Sequence, residues 1–348
     1  MVPLSVLDVA LVAPGGTARQ ALHDVVRTAV AADASGYHRF WVAEHHNSPR
    51  CAGSSPAVLI AHIAATTPRI RVGSGGVMLT NHAPLTIAEQ FAVLQSLHDD
   101  RIDLGVGRAT GGTDSSTLLD RALRRPPQAR AEFPQLVDEL VGFLHGHWPG
   151  DHAFRDLELS PALTVPPGVF VLGTSENGAR VAAARGLPFA YGAHLGPKSR
   201  PAALDRYRSS FSPGPLGTSP YVIASVNVQC AGSDQEAQLL AFDTTAARFR
   251  QKHAAASPAT ALTEPRERHL IGRMLEDMQL VHGGPDTVAA GLRRLAASLG
   301  ADEIMAVPYD ITAAGRARTL RLTAEAWFRD AKAPAAAPTP PALVARCP

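Results

Sequence analysis

Ionisable side chains directly follow an apolar, strand-like run near the start of the chain. Residues 40–43 have β character, and Glu44, His45 and His46 come next. Because strands hold side chains more firmly than loops do, polar groups at a strand end can form the floor of a site. A carboxylate beside imidazoles could exchange protons near neutral pH. In the alternative interpretation, Glu44 pairs with an arginine and both histidines are ordinary polar residues at a rim.

Glycines are concentrated in two later runs that also have strand character. Gly73, Gly75 and Gly76 lie in the first run, and Gly105 and Gly107 lie in the second. Because glycine has no side chain, two such neighbouring strands would let a large flat ligand lie against the backbone. The same glycines would also permit the tight curvature of a barrel, so both explanations stay open.

A third group of residues could bind an anion. Thr174, Ser175 and Gly178 belong to the segment 173–178, where a strand is expected to turn into a helix. Hydroxyl groups and free backbone N–H groups at a helix N-terminus can hold an anion. Arg108, at the end of the preceding strand, could add a bidentate guanidinium. A plain Ser/Thr cap is common in isolation, but the two features together favour a phosphate. A flat ring and a phosphate predict flavin mononucleotide (FMN).

Other chemistries have weaker support in the sequence. His45 and His46 are adjacent and should point to opposite faces of a strand, so they cannot easily share one ion, and no metal site is predicted. No G-x-S-x-G segment indicates a serine hydrolase. The G-x-G of residues 105–107 lacks the third glycine and the downstream acidic residue of a dinucleotide fingerprint. Three cysteines without C-x-x-C spacing argue against a disulfide framework and a structural zinc site.

Short apolar runs alternate with helical patterns along most of the chain. Strands that alternate with helices in this way pair in parallel. Eight of them predict an α/β fold, the (β/α)8 TIM barrel, with a doubly wound open sheet as the alternative. The predicted strands are 4–12, 37–43, 69–77, 102–107, 169–172, 188–191, 221–230 and 303–308.

The predicted barrel forms one domain over residues 1–330. Polar stretches place insertions after strands 4 and 7, and the second, 257–280, is predicted to be a helical excursion. Residues 331–348 are rich in Ala and Pro and are predicted to be a disordered tail.

Composition narrows the class of protein. The chain has 348 residues, of which 45% are hydrophobic and 18% are charged, as is typical of a globular protein with a substantial core. A formal net charge of +2 without a basic run argues against nucleic acid as a partner. The sequence has no apolar stretch of about eighteen residues that would span a membrane. The N-terminus has no signal-peptide pattern, so a cytoplasmic protein is expected.

The order of these motifs resembles that of the bacterial luciferase-like flavin-dependent monooxygenases. The pattern is most similar to their non-luminescent branch, which includes tailoring enzymes of natural-product pathways. The resemblance covers roughly residues 1–330 and is specific because several segments match in order. These segments are 40–47, 69–79, 82–85, 88–91, 101–108, 172–175 and 186–190.

The resemblance implies a (β/α)8 barrel, usually a homodimer, that binds reduced FMN or, in some branches, the deazaflavin F420. His45 matches the family's catalytic histidine beside the flavin ring, and Glu44 matches a carboxylate that supports the same strand end. These two residues are the predicted catalytic pair, while His46 is predicted to be structural. Gly75 and Gly76 fall where the family often has a non-proline cis peptide against the flavin ring.

The resemblance also implies a phosphate site. Arg108, Thr174, Ser175 and Gly178 match the family's phosphate-binding positions. Two positions depart from luciferase itself. Gly107 stands where luciferase has a reactive cysteine, and Thr174 replaces an acidic residue. No thiol chemistry is therefore expected here, and phosphate binding is favoured.

The activity implied is that of a two-component monooxygenase. A separate flavin reductase would supply FMNH2, dioxygen would add to the flavin at C4a, and His45 would position or protonate the resulting peroxide. The product would be an oxygenated small organic molecule, by hydroxylation, epoxidation or Baeyer–Villiger insertion. One alternative is an F420- or NAD(P)H-linked hydride-transfer oxidoreductase on the same fold. The other is a non-catalytic FMN-binding protein.

Overall fold

The structure, a computed structural model, describes residues 1–109, 117–195, 202–253 and 264–329. The strands are β1 (Leu4–Asp8), β2 (Arg39–Val42), β3 (Arg71–Met78), β4 (Ile102–Gly107), β5 (Gly168–Gly173), β6 (Phe189–Tyr191), β7 (Val222–Cys230), β8 (Leu280–Gly283) and β9 (Glu303–Pro308). The helices are α1 (Ala18–Ala34), α2 (Pro56–Thr66), α3 (Pro84–Leu97), α4 (Thr117–Ala122), α5 (Phe133–His145), α6 (Glu176–Ala184), α7 (Ala202–Ser209), α8 (Asp234–His253), α9 (Glu264–Asp277), α10 (Pro285–Leu299) and α11 (Ala313–Arg329).

Eight of these strands close into a parallel barrel. Their order around the ring is β1, β2, β3, β4, β5, β6, β7 and β9, and β9 pairs with β1 to complete it. The remaining strand, β8, pairs in parallel with the C-terminal part of β7, beside the ring. The predicted (β/α)8 barrel is therefore confirmed, and the open-sheet alternative is excluded.

Several predicted bounds agree with the structure and others differ for local reasons. β4 and β9 have the predicted bounds. β1 ends at Asp8, four residues earlier than predicted, because Ala10 has a positive φ of 52° and its N–H binds Asp8 Oδ1 at 2.8 Å. Such a side chain-to-backbone bond turns the chain out of the strand.

The regions with weak hydrophobic patterns were predicted least well. The four-residue β8 was not predicted, and neither was α4. α9 confirms helix in part of the predicted excursion, and residues 257–263 of it lie outside the described residues. The predicted tail, 331–348, also lies outside them. The two longest connections between barrel strands follow β4 and β7. No helix in the described ranges is long and apolar enough to cross a membrane.

A buried ionic network closes the N-terminal end of the barrel. Arg39 donates through Nη1 to Asp103 Oδ2 and through Nε to Glu303 Oε1, both at 2.7 Å, and all three side chains are at most 1% exposed. The Tyr221 hydroxyl donates to Glu303 at 2.8 Å, and Trp41 Nε1 donates to Asp103 at 3.1 Å. Buried charges are tolerated when they are paired and hydrogen-bonded in this way.

The network fixes the charge states of its members. Burial acts to raise the pKa of Asp103, but the guanidinium groups of Arg71 and Arg39 outweigh burial and hold that pKa at about 2. Above the network lies an apolar layer in which the rings of Trp41 and Phe170 meet edge to face, with centroids 5.0 Å apart. These two layers fill the barrel from below and leave its C-terminal end open.

Candidate active site

A cavity of about 1050 Å³ opens at the C-terminal end of the barrel strands. Residues at or near the C-terminal ends of seven barrel strands line it, and β7 contributes Ile223, Ser225 and Asn227 from within the strand. Helices α8, α9 and α11 contribute further residues. Enzymes with this fold place their active sites at this end. The volume lies at the upper end of the range for small-molecule sites, about 300–1,000 Å³. A large cofactor and a second small molecule can therefore fit together.

From the end of β2 onward, successive side chains point to two opposite faces. Trp41, Ala43 and His45 line the cavity, whereas Glu44 and His46 do not. This is the period of two expected of extended chain, and it continues beyond the last residue of the strand. The structure thus brings His45 into the cavity as predicted. It turns Glu44, the other member of the predicted catalytic pair, to the opposite face.

Glu44 is the centre of a compact hydrogen-bonded cluster. Its Oε1 lies 2.7 Å from His46 Nε2 and 2.9 Å from His82 Nε2, and its Oε2 accepts from the Met78 N–H at 2.9 Å. Burial acts to raise the pKa of Glu44, but these hydrogen bonds outweigh it and hold the pKa at about 2. The carboxylate therefore ties the end of β2 to the end of β3.

The same three side chains are also a possible set of metal ligands. Glu44, His46 and His82 each offer one ligand atom, and these atoms lie within 4.8 Å of one another. Their mutual hydrogen bonds already satisfy the atoms concerned. This cluster explains the predicted structural role of His46, and it leaves His45 free to face the cavity.

Glycines form one wall of the cavity. Gly75, Gly76 and Gly107 line it, and the Gly75–Gly76 peptide bond is cis, as the family resemblance implied. A Cβ atom at Gly75 would lie 2.6 Å from Leu7 Cδ1, and one at Gly76 would lie 2.9 Å from the Gly105 carbonyl oxygen. A side chain at Gly76 would meet backbone and one at Gly75 would displace the buried Leu7 side chain, whereas the two glycines leave bare backbone at the cavity.

The other two glycines serve the packing of the barrel. Neither Gly73 nor Gly105 lines the cavity. A Cβ atom at Gly73 would lie 2.8 Å from Trp41 Nε1 and 2.7 Å from Asp103 Cβ. Gly73 and Gly105 are thus explained by packing within the barrel, and the binding of a flat ligand against Gly75, Gly76 and Gly107 stays a prediction.

The predicted anion-binding residues lie together at one side of the cavity. Arg108 follows β4, and Thr174 and Ser175 follow β5; all three line the cavity with Gly178. Ser175 is the N-cap of α6, and its Oγ accepts from the Gly178 N–H at 3.4 Å. The Ser175 hydroxyl hydrogen and the first N–H groups of α6 are left to bind an anion. The structure places every predicted cofactor-binding residue on the cavity wall.

A second imidazole in the cavity, that of His194, was not among the predicted site residues. It lies in the turn after β6, and its Nδ1 is 2.7 Å from Ser225 Oγ. The Ser225 hydroxyl also contacts the Tyr191 carbonyl oxygen at 3.2 Å. Both contacts are hydrogen bonds when Ser225 donates to Tyr191 and Nδ1 of His194 donates to Ser225, which leaves the lone pair of His194 on Nε2.

Burial keeps both cavity histidines neutral near pH 7. It lowers the pKa of His45, and burial together with the nearby His45 lowers the pKa of His194 to about 4. His45 Nδ1 is buried and has no hydrogen-bond partner within the described ranges. The cavity thus holds one imidazole whose buried Nδ1 has no partner among the described residues and a second imidazole that is hydrogen-bonded to Ser225.

These shifts predict loss of stability in mild acid. A histidine whose pKa is lower in the folded state takes up its proton at a higher pH in the unfolded state. The free energy of unfolding therefore falls as the pH is lowered from 6.5 to about 4. Replacing His194 with asparagine should reduce the slope of the free energy of unfolding against pH by up to about 1.4 kcal/mol per pH unit. Urea titrations at pH 7, 6 and 5 would measure it. The exposed His269 offers the matched control, and equal slopes for His194→Asn and His269→Asn would contradict the prediction.

Comparison with known proteins agrees with this geometry. The family described as luciferase-like monooxygenase matches residues 2–303 of the chain. The chain belongs to this family. The Bacillus subtilis (strain 168) protein YvbT is 37% identical to it over 331 residues, which are 93% of this chain and 96% of YvbT.

Two further comparisons concern a named activity and a solved structure. The N-acetyl-S-alkylcysteine monooxygenase of Bacillus subtilis (strain 168) is 42% identical over 192 residues, which are 55% of this chain and 57% of that enzyme. The crystal structure of apo-MsnO8 matches with a TM-score of 0.79 at 34% identity, and the match covers 94% of this chain and 98% of that one. Membership of the luciferase-like monooxygenases makes this protein an oxidoreductase.

Proposed function

We propose that the protein is an FMN-dependent monooxygenase that receives FMNH2 from a separate reductase and uses dioxygen to oxygenate a small organic substrate. The observation that carries the proposal is the composition of the cavity wall. Bare glycine backbone, a phosphate-sized group of donors and a buried imidazole face the same space. Each of them matches a different part of a flavin mononucleotide and its chemistry.

The residues present fit FMN. The Gly75–Gly76 wall would accommodate a flat ring, because neither residue has a side chain that would stand between the ring and the backbone. Arg108, Thr174, Ser175 and the α6 N-terminus would hold the phosphate through charge-assisted hydrogen bonds. The unpartnered His45 Nδ1 is a polar atom that a ligand could satisfy. Reduced FMN would supply the electrons that activate dioxygen.

The residues that line or support the cavity would have different roles in the reaction. His45, neutral and in the cavity, would hold and transfer a proton at its ring, and Nε2 of His194 is a second acceptor. Glu44 is assigned a positioning role, because its carboxylate binds His46, His82 and the β3 end rather than facing the cavity. The apolar layer around Trp41 and Leu172 excludes water from the floor.

The name of one relative suggests a first substrate to test. N-acetyl-S-alkylcysteines contain a thioether, which is an electron-rich centre that accepts oxygen. We include N-acetyl-S-methyl-L-cysteine as a candidate substrate for this protein.

The cofactor is tested by binding. FMN should raise the melting temperature more than riboflavin, which has the ring but no phosphate. It should also do so more than FAD or F420, whose phosphates carry a further substituent and so do not present a terminal dianion to these donors. A concentration 100-fold above Kd corresponds to about 2.7 kcal/mol of stabilisation. Stabilisation by F420 alone would favour the hydride-transfer alternative. In a further outcome, the protein binds FMN, but adding a substrate does not change oxygen consumption when a reductase supplies FMNH2. That result would favour a non-catalytic flavoprotein.

The phosphate assignment predicts a selective effect of Arg108→Gln. Losing charge-assisted hydrogen bonds worth about 1.5–3 kcal/mol should weaken FMN binding roughly 10- to 100-fold. Riboflavin, which has no phosphate, should bind the variant and the native protein equally well. Titration calorimetry with both ligands measures this difference, and the surface variant Arg27→Gln serves as the control. Equal losses for FMN and riboflavin would contradict the assignment.

A further inference from the structure

A second group of charged residues lies on the cavity wall, away from the proposed phosphate site. Asp8, Arg248, Tyr309 and Arg316 all line the cavity. Asp8 ends β1 and Tyr309 directly follows β9, whereas the phosphate donors follow β4 and β5. In the order of the ring, β1 and β9 stand diametrically opposite β5 and β4. The two groups therefore face each other across the mouth of the barrel.

Arg316 is buried in this group without full hydrogen bonding. Its side chain is 3% exposed, and its Nε lies 3.5 Å from Asp8 Oδ2. Nη1 donates to the Ile311 carbonyl oxygen at 3.3 Å. Nη2 is buried and has no hydrogen-bond partner in the part of the chain that the structure describes. Asp8 thus balances the charge of Arg316, but one donor of its guanidinium stays unused.

Arg248 is held beside it by groups that carry no negative charge. Its Nη2 donates to the Tyr309 carbonyl oxygen at 2.6 Å, and its Cζ lies 4.0 Å from the centroid of the Tyr309 ring. Its Nε is buried and lacks a partner among the described residues. Of the described carboxylates, none forms an ion pair with Arg248; Asp310 nearby accepts from Thr312 instead.

These contacts leave two arginines that line the cavity, each with one buried donor that has no partner among the described residues. Burying a cation without a counter-ion is unfavourable, so an anion that binds there restores the balance. Among the charged side chains of this group that line the cavity, two guanidinium groups and one carboxylate leave a single net positive charge, which a monoanion matches. Asp310 is a further carboxylate nearby, but it does not line the cavity. The Asp8 carboxylate would repel a doubly charged phosphate. A planar carboxylate, in contrast, has two oxygens that can bind the guanidinium groups of both arginines.

We propose that Arg248 and Arg316 bind the carboxylate of the substrate, so that the protein oxygenates small organic acids. The proposal rests on the proposed function for the oxygenation step. The two arginines would hold the substrate carboxylate beside the ends of β1 and β9. The remainder of the substrate then extends over the centre of the barrel mouth, toward His45 and the Gly75–Gly76 wall. The carboxylate thus anchors the substrate, and its uncharged part reacts.

Binding of matched acids and esters tests the subsite without depending on turnover. The probes are hexanoate, benzoate, N-acetyl-L-methionine and N-acetyl-S-methyl-L-cysteine, each beside its methyl ester, titrated by calorimetry into the FMN-loaded protein. We expect at least one acid to bind about tenfold or more tightly than its ester. Arg248→Gln should abolish that preference, Arg248→Lys should retain part of it, and Arg318→Gln, a surface change on α11, should leave it intact.

The outcomes separate this inference from the proposed function. No preference for any acid over its ester would overturn the inference, and so would a preference that survives in Arg248→Gln. FMN affinity, measured for each variant, shows whether the fold and the cofactor site remain intact. A carboxylate preference in protein that does not bind FMN would support the subsite and refute the proposed cofactor.

Discussion

Replacing His45 with glutamine is expected to lower the rate of substrate oxygenation about 100-fold or more, while FMN binding changes little. A positioned acid or base contributes typically 10²- to 10⁴-fold to a rate, and His45 faces the cavity with an unpartnered buried nitrogen. The acid limb of the activity profile should lie below pH 6.5, because burial lowers the pKa of His45. This limb should be lost in the variant. A coupled assay with a flavin reductase and the best substrate of the panel measures the rate.

His46→Gln is the matched control for this experiment. It makes the same chemical change one residue further along the chain, but His46 binds Glu44 outside the cavity. It should lower the melting temperature and reduce the rate less than tenfold. Equal rate losses in the two variants would show that His45 has no special part in the reaction.

Replacing Arg39 with methionine is expected to lower the free energy of unfolding by about 3–5 kcal/mol. Arg39 is 1% exposed and bonds two buried carboxylates, so its loss leaves Glu303 with only hydroxyl donors and Asp103 with fewer cations. Urea denaturation monitored by circular dichroism measures the change.

The double variant Arg39→Met/Glu303→Gln checks the mechanism of that loss. Neutralising the carboxylate removes the uncompensated charge, so the double variant should be more stable than Arg39→Met alone. Asp286→Asn, which breaks a surface pair with Arg329, should change stability little. A loss below about 1 kcal/mol in Arg39→Met would mean that the network does not hold the barrel base together.

The barrel and much of its mouth could be predicted because both follow from local patterns. Apolar runs alternating with helices fix the order of the strands, and polar residues just beyond them must meet at one end. This reasoning located His45, Arg108 and Ser175 around one cavity at the barrel mouth. The alternation of side chains along extended chain also determines that Glu44 faces away from His45. The family resemblance assigned both residues to the catalytic site, but the alternation of the extended chain places their side chains on opposite faces.

Other parts of the site depend on packing that local patterns do not encode. His194 could be found as a residue that follows strand six, but its tautomer depends on Ser225 in the next strand. Arg248 and Arg316 come from helices, and they reach the cavity because α8 packs against β7 and β8 and α11 packs against β7 and β9. The short β8 has no periodicity of its own and is held by its pairing with β7.

A crystal structure of the protein with FMN bound would test the central claim most directly. The proposed function predicts that the phosphate lies within hydrogen-bond distance of Arg108 and Ser175, with the ring against Gly75–Gly76 and His45 beside it. A phosphate bound to Arg248 and Arg316, or a flavin outside the barrel mouth, would contradict it.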